Sequence, residues 1–408
     1  MKKLLICFLG YVSICCGQTK ILFDATKAET AGNADWVIDA DQHNLDWNPG
    51  AILNAGNESN AQAIPTPSQT SITASSAETL WEGALSNWGV DLVKKGYQVQ
   101  SLAYNQQITY GNTSNSKDLS NYKVFVVCEP NILYTASEKT ALINFVFNGG
   151  GLFMISDHDQ SDRNGDGQDS PHIWNDLMQS NSVQTNPFGM TFDYVNISQT
   201  SNNIANLPND TILHGISGNN AVSEIMYSNG TTLTLNNSQN PSAKGIIYKS
   251  GSSNSGTLNC MVARANYGLG KVAALGDSSP CDDGTGDSND VLYNGYTQDA
   301  NGNHQKLLVN IVEWLAASNN TTTGIKNDVF EPESFIIYPN PSNGRFELYI
   351  LPNQSNVNAI SVYNAMGQIS YKCSIPASSE PIRTSLELDA KGIYTLFVND
   401  VPKRIVVK

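Results

Sequence analysis

The sequence predicts an α/β protein with a mostly parallel sheet covered by helices, followed by a small β-sandwich. Three observations carry this. Short apolar runs alternate with helical patterns over residues 18–317, a polar stretch without apolar periodicity interrupts the chain near 318–333, and short strands separated by turn residues fill 334–408. A chain of 408 residues suits one large domain plus a small one.

The apolar runs Ile21–Phe23, Val124–Val127, Leu152–Ile155 and Val272–Leu275 read as buried strands. Between them, Glu78 to Lys95 sets Leu80, Trp81, Leu85, Trp88, Leu92 and Val93 at helical spacing. Ser137 to Phe147 and Leu307 to Leu315 repeat the pattern. In the small domain, strands are expected at Phe335–Tyr338, Arg345–Ile350, Ala359–Tyr363, Ser385–Leu388, Tyr394–Val398 and Arg404–Val407.

Residues 1–17 read as a signal peptide. Lys2 and Lys3 precede an apolar run from Leu4 to Ile14 that is too short to anchor, and small residues follow at Cys15 and Gly17. A lipoprotein anchor on Cys15 or Cys16 is the rival reading, and Ile14 fits it poorly. No later segment is apolar and long enough to span a membrane, which leaves a secreted or cell-surface protein. Losing Lys2 and Lys3 takes the net charge from −14 to −16. Such acidity argues against a nucleic-acid or anionic-membrane partner, because both need clustered Lys and Arg. Of seven Cys, four remain after cleavage: Cys128, Cys260, Cys281 and Cys373. Their spacing gives neither a disulfide framework nor a zinc motif. Buried thiols are expected, with a Cys260–Cys281 pair the alternative.

In parallel sheets, ligands bind beyond the carboxyl ends of the strands. Three apolar runs here end in acids: Asp24 after the first, Asp157 in Ser156-Asp157-His158-Asp159, and Asp277 in Gly276-Asp277-Ser278. Singly, each acid reads more readily as a turn acceptor; the coincidence of three is what points to a functional crevice. Together in one crevice they would repel, and a divalent metal is the simplest relief. His158, sitting among them, is the candidate acid–base group. The expected catalytic set is therefore His158, Asp157, Asp277 and Asp24.

The loop from Asp162 to Ser170 carries Asp162, Asn164 and Asp166 at alternate positions before Gly167, the pattern of calcium loops. Ile173 replaces the bidentate Glu at the twelfth position, so further ligands would come from Asp159, Asp169 or Asp157. The expected metal set is Asp159, Asp162, Asn164, Asp166 and Asp169, with calcium the first choice of divalent cation. A solvated turn is the plain alternative. Asp282, Asp283 and Asp287, in a long loop after the last apolar run, are weaker ligand candidates. His172 adjoins the metal loop, His43 and His304 are candidate supporting residues, and His214 reads as a turn residue.

Two resemblances add to this reading. The motifs YPNPSNGRFEL at Tyr338–Leu348, VYNAMGQ at Val362–Gln368 and GIYTLFV at Gly392–Val398, with the terminal KRIVVK, resemble the C-terminal sorting domain of the type IX secretion system of Bacteroidetes. That implies export across the outer membrane, with the secretion machinery as a partner. The strand VFVVCEPN and the stretch FVFNGGGLFMISDHD at Phe145–Asp159 resemble the class I glutamine-amidotransferase-like, flavodoxin-like fold that includes trehalose-utilisation (ThuA-type) proteins. The further segments FDATKAETAGNADW and GDSSPCDDGTGD are similar to secreted bacterial hydrolases. Members with amidotransferase activity place a Cys at the elbow where this chain has Ser156-Asp157-His158. A Cys–His mechanism is therefore not expected, Cys128 reads as a core thiol, and Ser156 lacks a nucleophile motif.

The reading that results is a metal-assisted extracellular hydrolase of a polymer, polysaccharide favoured. The alternative is a non-catalytic, calcium-stabilised binding or adhesion protein of the cell surface, with aromatics such as Trp47 or Trp174 exposed on a flat face.

Overall fold

The computed structural model describes residues 18–32, 34–39, 67–77, 80–81, 83–104, 106–285, 293–317, 335–351, 357–364, 368–376, 378, 380–399 and 401–408. The expected signal peptide, the expected linker, His43, Trp47 and Asp287 lie outside them. The chain divides into two compact units, Met1–Asn320 and Thr321–Lys408.

In the first unit, β1 (Lys20–Asp24), α1 (Ser86–Lys94), β2 (Gln98–Leu102), β3 (Val124–Cys128), α2 (Ala136–Phe147), β4 (Gly151–Ile155) and α3 (Ser170–Gln179) come first. Next are β5 (Met190–Phe192), β6 (Ile197–Ser201), β7 (Asn203–Ile204), α4 (Thr211–His214), β8 (Ile225–Gly230), β9 (Leu233–Leu235), β10 (Lys244–Tyr248), β11 (Cys260–Tyr267) and β12 (Gly270–Leu275). The unit closes with α5 (Gly295–Gln298) and α6 (Asn303–Ala316). The main sheet runs β2-β1-β3-β4-β12-β11-β10-β7, with β9 joined to β11 and β5 to β9. β2, β1, β3, β4 and β12 are parallel, and the strands beyond β12 continue antiparallel. This is an α/β fold with a parallel half and an antiparallel extension.

Of the parallel strands, β1, β3, β4 and β12 are buried on both faces, which is why they read as apolar runs, while the edge strand β2 is partly exposed. Ile21, Phe23, Val124, Val126, Phe153 and Leu275 face one core with Trp88 of α1, Leu213 of α4, and Leu307 and Ile311 of α6. Trp88 lies edge-on to both Phe23 (5.1 Å) and Phe153 (5.7 Å), the favoured aromatic geometry. The alternate residues Leu22, Phe125, Leu152 and Met154 are equally buried, and α2 packs against β4 and β12. α2 begins at a capping box in which Thr135 and Glu138 each satisfy the other's backbone.

The helix expected from Glu78 is shorter, starting at Ser86. The N–H groups of Ala84 and Leu85 bond Asp35 O (2.9 Å) and Val37 O (3.0 Å) rather than an earlier turn. Gly83 allows that approach, because a Cβ there would sit 2.4 Å from the Val37 carbonyl oxygen. Leu80 is correspondingly exposed.

The second unit is a β-sandwich of β13 (Phe335–Tyr338), β14 (Arg345–Ile350), β15 (Val357–Asn364), β16 (Ile369–Pro376), β17 (Ile382–Glu387), β18 (Gly392–Val398) and β19 (Val401–Val407). Its sheets run β13-β14-β17 and β16-β15-β18-β19, antiparallel throughout. Phe335, Phe346, Leu348, Val362, Leu396 and Ile405 fill the space between them. β16 was not anticipated, because it is an edge strand whose residues are all at least partly exposed.

Candidate functional site

The chain passes from β1 to β2 on one side and then crosses to β3 on the other side of β1. At such a reversal the connecting loops diverge and leave a crevice beyond the carboxyl ends of the strands. Four neighbouring parallel strands end in acids at this rim: Asp24 at β1, Glu129 after β3, Asp157 after β4 and Asp277 after β12. All four are buried.

One cluster forms around Asp157. Its Oδ1 is 3.2 Å from His158 Nδ1, an ion-pair contact that falls short of an aligned hydrogen bond, and its Oδ2 is 3.6 Å from Arg163 Nη2. Arg163 Nε donates to Glu129 Oε1, and Ser278 Oγ donates to Glu129 Oε2 at 2.7 Å. Arg163 reaches the crevice because its loop is docked. The Arg163 N–H donates to Asn131 Oδ1 (3.1 Å) and Asn164 Nδ2 donates to Asn131 O (2.6 Å), while the guanidinium lies 5.8 Å from the Trp36 ring centre. Arg163 thus supplies, from within the chain, the positive charge that these acids need.

Glu129 sits at φ +49°, a strained conformation for a non-glycine residue, held where β3 breaks off. Burial pushes its carboxyl up to about 7. Arg163 works against that shift and Asp157 adds to it. For His158, burial lowers the affinity for a proton, but contact with Asp157 and the charge of Glu129 prevail and raise it. Asp277 is pushed well above the carboxylate range by burial and then by Asp157, against the N–H donors of Ser279 (2.8 Å) and Ser228 (2.5 Å).

Asp24 stands apart. β3 separates β1 from β4, placing their axes ~10 Å apart, and Asp24 contacts neither Asp157 nor Asp277 among the described residues. The expectation of one group of three acids is corrected here. Asp24 instead meets Glu29, carboxyl to carboxyl. Burial raises Asp24 to about 6. Glu29 rises well above its ordinary value through burial and the charge of Asp24, so both carboxyls are shifted toward their protonated forms. Lys27 beside them bridges to Glu138 at 2.8 Å, both side chains buried.

The expected five-ligand metal set is split. Asp162, Asn164 and Asp166 form a turn closed on itself: Asp162 accepts from the N–H groups of Gly167 (2.7 Å) and Asp166 (3.2 Å). Asp159 and Asp169 gather instead with His172, one ligand atom of each within 4.8 Å of the others. Asp169 also caps α3, and its Oδ1 meets His172 Nδ1 at 2.6 Å. Ile173 belongs to the core. Asp283 accepts from the Asn87 N–H at the start of α1, and Asp282 from the N–H groups of Tyr293 and Gly284, so both hold the loop that carries them.

The other candidates are structural. His304 is buried, accepts from the Met226 N–H (2.9 Å), and its Nδ1 meets Gly295 O (2.8 Å). His214 Nε2 lies 3.2 Å from Leu207 O. Trp174, expected on an exposed face, is fully buried, its indole N–H bonded to Ile155 O. Ser156 is buried and bonded to Ser170 (3.0 Å). The four cysteines are free, with Cys128, Cys260 and Cys281 buried. Sequence reading missed Glu129, which follows its strand as the other acids do, and Arg163, hidden inside a motif read for its oxygens.

Residues 336–408 match the family described as "Secretion system C-terminal sorting domain". The chain therefore ends in a type IX sorting domain and is secreted or displayed at the cell surface. Among the described residues, no helix is long and apolar enough to cross a membrane. No curated protein matches the chain. It is similar to the solved mmIFT52 N-terminal domain (14% identity, 61% of this chain and 98% of that one, TM-score 0.37). It is also similar to a cytoplasmic protein of Salmonella typhimurium (12%, 73% and 98%, TM-score 0.36) and to a ThuA-like protein of Parabacteroides merdae ATCC 43184 (12%, 76% and 94%, TM-score 0.35). The α/β class rests on the strand order itself.

Proposed function

We propose that the first unit is a secreted hydrolase of an extracellular polymer, with a polysaccharide as the favoured substrate. The observation that carries this reading is the meeting of Glu129, Asp157, His158 and Arg163 at the reversal point of the sheet, with Glu129 pushed up to about 7. His158 is the reachable member, its side chain 24% exposed. In this reading it takes a proton from the attacking water and returns it to the leaving oxygen. Asp157 orients the ring and favours its protonated form. Arg163, balanced by Glu129, stabilises negative charge that develops beside it.

The metal assistance in this proposal is calcium at the Asp162–Asn164–Asp166 turn, whose side-chain oxygens suit a hard cation. Its contribution there is to hold the turn that aims Arg163.

A non-catalytic adhesion protein is the rival reading. It is favoured by the full burial of Glu129 and Asp277, each satisfied inside the protein. The test is a hydrolysis screen of the mature chain on polysaccharides, phosphoesters and nucleic acids, with and without chelator, repeated with Asp157→Asn. Turnover lost in Asp157→Asn supports the enzyme. Turnover absent on every substrate, or equal in both proteins, overturns it.

A further inference from the structure

Tyr194 is a large aromatic residue 51% exposed in a chain that buries most of its rings. Its ring stacks on His172, centroids 4.1 Å apart and planes within 18°. With one face against the imidazole, the exposed half is the opposite face and the edge.

The backbone on both sides of Tyr194 is fastened. Asp193 donates its N–H to Thr232 O (2.8 Å), and its carboxylate accepts from Thr232 Oγ1 (2.6 Å) and Thr234 Oγ1 (2.8 Å). On the other side, Val195 O accepts from the Asp159 N–H at 3.1 Å. His172 is held in turn by Asp169. The ring is therefore presented in one fixed orientation, and fixing it beforehand removes the entropy cost that a mobile side chain would incur on binding.

Asp159, partly exposed, belongs to the same patch: its N–H bonds Val195 O and its carboxylate lies within 4.8 Å of a His172 ring nitrogen. It directly follows His158, so the plane adjoins the mouth of the crevice.

We propose that Tyr194, with Asp159 nearby beside its stacking partner His172, is a binding subsite for a neutral hexopyranose unit of a glycan. A flat aromatic face complements the C–H face of a pyranose ring, and a carboxylate accepts from its hydroxyl edge. A purely apolar partner would bury Asp159 without a donor. A polyanion would meet Asp159 and a net charge of −14. Placing the subsite in the path to His158 rests on the hydrolase reading; sugar binding does not.

The experiment is affinity electrophoresis of the mature chain through gels containing xyloglucan, laminarin, galactomannan or polygalacturonate, with hydrolysis of each polymer scored separately. At least one neutral polymer retards the wild-type protein. Tyr194→Ala weakens that retardation about tenfold, the equivalent of ~1.4 kcal/mol, and Tyr194→Phe retains it. No retardation by any neutral polymer, equal retardation of Tyr194→Ala, or equally strong retardation by polygalacturonate overturns the subsite. Retardation lost in Tyr194→Ala without hydrolysis of any polymer leaves the subsite standing and overturns the hydrolase. Hydrolysis with an undiminished Tyr194→Ala does the reverse.

Discussion

Glu129→Gln should stabilise the protein at alkaline pH and leave it unchanged at acid pH. Glu129 is fully buried, and its carboxyl is pushed up to about 7 from an ordinary 4.5. A folded-state value above the unfolded one means that the native state holds the proton more tightly. The stabilisation is complete below about pH 4.5 and is lost as pH rises through 7. The difference corresponds to about 3 kcal/mol. Gln keeps the shape and never ionises, so it matches protonated Glu129 at pH 5 and avoids the cost of the buried anion at pH 8. Urea unfolding of both proteins at pH 5 and pH 8 measures this. The curves should differ by less than about 1 kcal/mol at pH 5 and separate at pH 8 by about 3 kcal/mol, with Glu129→Gln the more stable. The Glu129→Gln protein should still keep a residual fall with pH, because Asp24 and Asp283 (about 6) and Asp282 (about 7) are shifted the same way. Equal pH slopes in the two proteins would refute the reasoning.

Arg163→Met should cost about 3–5 kcal/mol at pH 8, since it leaves Glu129 and Asp157 buried without their cation; the loss should shrink at pH 5, where Glu129 takes up a proton, as unfolding at both pH values would show. Lys27→Met should destabilise by a similar ~3–5 kcal/mol, because it strands Glu138 with both groups buried. Gly83→Ala should lower Tm, since the added Cβ would lie 2.4 Å from Val37 O; an unchanged Tm by calorimetry would show that the 35–37 segment yields at no cost. Deleting Thr321–Lys408 should leave the first unit folded but trapped inside the outer membrane, read by fractionation of an expressing bacterium of the type IX class.

Four of the five parallel strands, β1, β3, β4 and β12, were legible because each is buried on both faces and so must be apolar, whereas the edge strand β2 (QVQSL) is only half-buried and shows no such run. The sorting domain was legible because its turns demand particular residues in a fixed order. β16 escaped, since a solvent-facing edge strand has no apolar pattern to show. The helix expected from Glu78 was overextended because Trp81 and Leu85 kept helical spacing while the backbone of Ala84 and Leu85 bonded a segment about fifty residues earlier.

Strand-end acids at Asp157 and Asp277, and His158 between them, could be named from the sequence, because strand ends are a local property. Which acids meet depends on strand order, and strand order is set by how the whole sheet packs. Placing β3 between β1 and β4 drew Glu129 into the centre and left Asp24 facing Glu29. Arg163 could be valued only once its loop was seen folded over the crevice. Like charges brought together by a fold must be neutralised at short range, and only tertiary structure determines which opposite charge is near enough to do it.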